Sequence, residues 1–194
     1  QFALDESRRL IYHYDRRQKS IFLIDADNFQ VKNIINIDAP CSGSAWVLYD
    51  PAVNRLFITC EDYSFLILDS SSLQVIKQYN WGKINDRMLQ AESHRIYITT
   101  DYLPELISIN TISLAIKRRK LSGFVDQIAF SPRRGVLFLS ASFQSRVLLY
   151  NPSSLEPQGS IKTLWGVRAL AVDDRNNLLL AASQFTPKLQ IIDL

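Results

Sequence analysis

A short apolar run closed by Asp or Asn recurs along the chain. It reads Ile21-Phe22-Leu23-Ile24-Asp25, Phe65-Leu66-Ile67-Leu68-Asp69, Leu106-Ile107-Ser108-Ile109-Asn110, Val147-Leu148-Leu149-Tyr150-Asn151 and Leu189-Gln190-Ile191-Ile192-Asp193. The closing residues stand at 25, 69, 110, 151 and 193, in steps of 44, 41, 41 and 42. Four residues after the first four of them comes an apolar residue: Phe29, Leu73, Leu114 and Leu155. A second apolar run starts 13 to 15 residues before each closing Asp or Asn, as in Leu56-Phe57-Ile58 and Leu137-Phe138-Leu139. A polar turn precedes that run, for example Asp50-Pro51-Ala52-Val53-Asn54-Arg55 or Asp173-Asp174-Arg175-Asn176-Asn177. A further short apolar segment precedes the turn, such as Trp46-Val47-Leu48-Tyr49 or Ala169-Leu170-Ala171-Val172.

Each unit therefore reads strand A, turn, strand B, loop, strand C, turn, strand D. The runs are short, rich in Ile, Val, Phe and Tyr, and punctuated by turn formers. Strands B and C are nearly continuous in apolar residues, which suits sheets buried on both faces. Strand D is more polar. It carries Lys77 and Gln78 in one copy and Lys117-Arg118-Arg119-Lys120 in another, as an outer strand protected against edge-to-edge pairing would. No helical period persists over three turns. A period of about 42 residues holding four strands predicts an all-β chain, a β-propeller with about five four-stranded blades. The blades fall at approximately 1–37, 45–80, 88–121, 127–162 and 168–194, within a single propeller segment 1–194. The chain opens at strand A of the first copy and closes after strand C of the fifth. These blades are expected to belong to a larger ring, with a five-bladed ring and an incomplete last blade as the alternative.

The stretch Ser131-Pro132-Arg133-Arg134-Gly135-Val136-Leu137-Phe138-Leu139, a loop, then Arg146-Val147-Leu148-Leu149-Tyr150-Asn151-Pro152 resembles the YVTN/NHL type of propeller repeat. The copy from Asp50-Pro51 to Leu68-Asp69-Ser70 matches the same pattern, and the resemblance covers nearly the whole chain. It implies a fold and leaves function open, because many unrelated roles use this architecture. No Gly-His opens a blade and no Trp-Asp closes one, so the WD-repeat signature is missing.

Composition adds little. The net charge of +3 and pI of about 8.9 come from scattered residues and do not call for nucleic acid. No run approaches the roughly 18 apolar residues of a membrane helix. His13 and His94 lie far apart in phase and read as structural. Zinc spacing, a nucleophile elbow and a phosphate-cradling glycine loop are all missing. Ser70-Ser71-Ser72 reads as a turn. For Cys41 and Cys60 two readings stand: a disulfide, implying an oxidising and so extracytoplasmic or secreted setting, or two buried thiols.

The mouth of the propeller channel is where ligands are expected. The loops leading into strand A place Ser44, Trp81, Asp86, Arg87, Asp126, Trp165 and Arg168 there. One reading is a mixed-charge funnel with aromatic platforms that binds a protein partner or a small ligand. The plainer one has the Trp rings filling gaps between blades and the charges solvated. Lacking a catalytic constellation, the chain reads as a non-enzymatic binding or scaffold propeller with no cofactor. The alternative is a metal-dependent hydrolase resembling gluconolactonase-type propellers. That resemblance implies a divalent metal held by carboxylate and amide groups, with Asp86 and Asp126 as candidates. Ser44 and Arg168 fill other expected ligand positions, and Arg168 repels a cation.

Overall fold

The computed structural model describes residues 2–15, 17–37, 45–60, 64–101 and 103–194. They form five antiparallel sheets, each a meander in chain order. The first holds β1 (Phe2–Asp5), β2 (Leu10–Asp15), β3 (Ser20–Asp25) and β4 (Val31–Asn36). The second holds β5 (Ala45–Asp50), β6 (Arg55–Cys60), β7 (Ser64–Asp69) and β8 (Val75–Asn80). The third holds β9 (Ile84–Gln90), β10 (Arg95–Thr100), β11 (Glu105–Asn110) and β12 (Ile116–Lys120). The fourth holds β13 (Ile128–Ser131), β14 (Val136–Ala141), β15 (Arg146–Tyr150) and β16 (Pro157–Lys162). The fifth is three-stranded: β17 (Val167–Asp173), β18 (Leu178–Ser183) and β19 (Leu189–Asp193). The fold is a β-propeller, and the sheets are its blades. The chain divides into two compact units. One holds the first two blades together with the 91–94 turn, the other the remaining strands of the last three.

The repeating Asp or Asn has a structural cause. In four blades its side-chain Oδ1 accepts the backbone N–H groups two and three residues on. Asp25 does this for Asp27 and Asn28, Asp69 for Ser71 and Ser72, Asn110 for Ile112 and Ser113, and Asn151 for Ser153 and Ser154. Its carbonyl accepts the N–H of the apolar residue four positions later, at 2.8–2.9 Å in each copy. That apolar residue sits in the left-handed region: Phe29 at φ 60°, Leu73 at 57°, Leu114 at 59° and Leu155 at 62°. A side chain there costs about 1–2 kcal/mol. For Leu73 and Leu155, both buried, apolar burial offsets the cost. The turn between strands A and B closes the same way. Arg9, Asn54, His94, Gly135 and Asn177 end it at φ between 51° and 61°. His94 is thus a turn residue, its Nδ1 3.9 Å from Asp50 Oδ2.

In the second, third and fourth blades strand B is buried on both faces. The two end blades differ. In the first, Tyr12, Tyr14 and Ile21 join a core with Val47, Ile58, Leu66 and Leu68 of the second blade. The other face of that sheet, with Phe2, Leu4, Val31 and Ile34, is exposed. In the fifth, Leu170, Leu179 and Ala181 pack on Phe138 and Val147 of the fourth, while Leu189 and Ile191 lie exposed on the opposite face. Strand D is exposed in every blade that has one. The basic run on β12 clamps the neighbouring turn as well as protecting the edge. Lys117 Nζ donates to Ser153 O at 2.9 Å, and Arg119 pairs with Glu156 and Arg118 with Glu105, both at 2.6 Å.

Candidate functional site: an aromatic rim on the second unit

Asp86 and Arg87, expected in the loop before strand A, lie inside β9, which starts four residues earlier than the sequence pattern suggested. The Asp86 carboxylate is used there. Its Oδ2 accepts the backbone N–H of Ile128 on β13 at 2.8 Å. Burial pushes the Asp86 carboxyl above the usual carboxylate range, against the pull of the Ile128 and Arg87 amides and the Arg87 charge. Burial also lowers the Arg87 guanidinium to about 10 despite the Asp86 charge. Gln127 occupies the equivalent place one blade later. Its Oε1 accepts the N–H of Leu170 on β17 at 2.6 Å. The two side chains form one repeated link between successive inner strands.

Asp126 and Arg168 come together, with Arg168 Nε 3.1 Å from Asp126 Oδ1. The Ser142 hydroxyl donates to the other Asp126 oxygen. Both expected carboxylates are therefore held by protein donors. Among the described residues no three His, Cys, Asp or Glu side chains gather as a metal site would require. Trp81, in the first unit, stacks against Phe65 at 5.0 Å and Tyr79 at 4.6 Å between ring centroids. It is half-buried and packs on its own blade. Ser44 and Cys41 lie outside the described residues. Cys60 ends β6 and is buried.

Trp165 differs from Trp81. It is 51% exposed and stacks on Phe185, 50% exposed, at 4.5 Å and 27°. Gly166 makes this approach possible. Its φ is 74°, and a β-carbon there would run into the Phe185 ring. A second pair, Phe124 and Phe143, stands at 5.8 Å, with Phe143 58% exposed. Backbone bonds tie the loops together. Gly166 N–H donates to Ser142 O at 3.0 Å, Thr163 N–H to Ser145 O at 2.9 Å and Gln184 N–H to Gly166 O at 2.9 Å. The Ser183 hydroxyl donates to Trp165 O at 2.8 Å. Four rings from four loops thus form a rim on hydrogen-bonded backbone.

The sequence pattern singled out Trp165 alone among these four. Phe143 and Phe185 stand in loops between strands B and C, each two residues past its strand B, with Leu103 three residues past β10. One large apolar residue recurring in a loop that has no core to fill was the available signal.

No family model matches the chain, and no curated protein matches it in sequence. Solved structures do. A chain in the crystal structure of the mitotic checkpoint complex is similar over 100% of this chain and 62% of its own, with 13% identity and a TM-score of 0.77. The β-propeller domain of Cps50 (Swd1) from Myceliophteria thermophila is similar over 94% of this chain and 61% of its own, with 11% identity and a TM-score of 0.71. The chain thus spans less than two thirds of either neighbour. At these identities the likeness establishes the β-propeller fold.

Proposed function

We propose that this protein is a non-enzymatic binding propeller of the YVTN/NHL type and that a partner protein docks on the aromatic rim of its second unit. The observation that carries the reading is the rim itself: Phe143, Trp165 and Phe185, each at least half exposed, fixed on loops that bond to one another. Exposed aromatics on a rigid frame serve as interface anchors at low entropic cost. A protein in the mitotic checkpoint complex assembly shares the fold, which makes an assembly role reasonable here. We take the five blades to be part of a larger ring, because the end blades each leave an apolar sheet face uncovered.

Native mass spectrometry of the protein purified from its source tests this. The expected result is a retained protein partner without a stoichiometric divalent ion. A stoichiometric divalent ion, with turnover of lactone or ester substrates, would overturn the reading in favour of a hydrolase.

A further inference from the structure

The rim carries charge as well as rings. Lys120 closes β12, Arg146 opens β15, Lys162 closes β16 and Lys188 precedes β19, all exposed at the loop ends of their strands. Arg146 and Lys162 are direct cross-strand partners. Like charges opposite one another destabilise a sheet, and a bound carboxylate would relieve that repulsion. Three acidic residues share these ends. Glu105 is held by Arg118, and Asp126 by Arg168 and Ser142; Asp101 is the third. The balance is positive, and the cations stand at the strand ends that flank the ring-bearing loops, Lys120 before Phe124, Arg146 after Phe143, Lys162 before Trp165 and Lys188 after Phe185. Beside Lys120 a pocket of about 230 Å³, lined also by Leu103, Pro104, Leu121 and the Arg118-paired Glu105, has room for a single apolar side chain.

We propose, building on the reading of this rim as a partner surface, that it takes an extended acidic peptide segment. Large apolar side chains of the peptide lie on the Trp165–Phe185 and Phe124–Phe143 pairs, and its carboxylates face Arg146, Lys162 and Lys188. Charged rim groups steer such a partner and rings anchor it. An anionic membrane would meet the same residues. Half-covered rings and a recessed pocket suit separate side chains better than a flat lipid surface.

The test is selection from a random 12-residue peptide library displayed on phage, with the protein as bait. Phosphatidylserine vesicles form a second arm. The expected peptides carry Asp or Glu around Phe, Trp or Leu. Their binding weakens as salt rises and falls at least tenfold in both Phe143→Ala and Lys162→Glu. Both residues are exposed, so the variants should keep the parent circular dichroism, with Tm unchanged or, for Lys162→Glu, which sets a carboxylate opposite Arg146, slightly raised. Peptides without acidic bias, or with binding untouched by these variants, overturn the acidic-peptide inference and leave a binding propeller with another surface. Vesicle binding that depends on Phe143, without peptide binding, overturns it in favour of a membrane. Binding in neither arm overturns it too, while retention of a protein partner in native mass spectrometry would still uphold the broader reading.

Discussion

Asp86 and Gln127 hold the same place in consecutive repeats, and each accepts a backbone N–H from the next inner strand. The acceptor oxygen is what matters, and the negative charge is disfavoured by burial. Asp86→Asn should therefore hold stability within about 0.5 kcal/mol. Asp86→Leu should lose about 1–3 kcal/mol, because the Ile128 amide is left without a partner. Urea denaturation of the two variants checks this. Equal losses would show that the carboxylate charge has a role of its own.

Asp5 is the opposite case. Burial raises its carboxyl, but hydrogen bonds from the Ser7 hydroxyl, the Arg8 amide, the Arg8 guanidinium and Tyr49 outweigh that and bring it to about 2. Arg8 also bonds Tyr49, Asn54 and Ser70 of the second blade. The folded value lies below the ordinary 3.8, so the ionised carboxylate contributes stability that is fully present above about pH 4. That contribution is lost as pH falls through about 2, and after solvent screening it is on the order of 1–2 kcal/mol. The stability gap between the parent protein and Asp5→Asn should shrink between pH 4 and pH 2. A gap constant across that window would place the contribution elsewhere.

At the scale of the element, the turn between strands C and D is the unit that repeats. Asn151 caps two amides, and the Leu155 N–H returns to its carbonyl. Asn151→Ala should cost about 1–2 kcal/mol and Asn151→Asp under about 0.5, because Asp25 and Asp69 already serve in other copies. Thermal denaturation reads both. This chemistry is why the period was legible: an oxygen-bearing side chain and an apolar residue at fixed spacing are local needs of one turn. The inner-strand links were not legible. Asp86 reaches an amide 42 residues away, and any acceptor of the right length would do. Asp86 therefore looked like a loop carboxylate open to ligands, although it sits inside β9. Phe143 and Phe185 were passed over because their recurrence just past strand B marks only a place in a loop, and their stacking on Phe124 and Trp165 shows only in the folded chain. Their meaning comes from neighbours that only folding supplies.

At the scale of the molecule, the burial of strands B and C was expected on both faces. It holds for strand B in the middle three blades and for strand C in the second and third, whereas Leu148 and Leu149 of β15 are partly exposed and the end blades bury one face each. If further blades cover those faces in the whole protein, Leu4→Glu and Ile191→Glu should each cost about 2–4 kcal/mol there. Changes within about 0.5 kcal/mol would show that the faces stay open to water.

The rim is the central claim, and photo-crosslinking tests it most directly. A photoreactive phenylalanine analogue is placed at Phe143 or Phe185, and at Ile112 as a control. Ile112 is 53% exposed in the turn between strands C and D, at the other end of its blade. In cells that make the protein, the account predicts a discrete protein adduct from positions 143 and 185 and none from 112. Adducts from 112 alone, or the same adducts from all three positions, would contradict it.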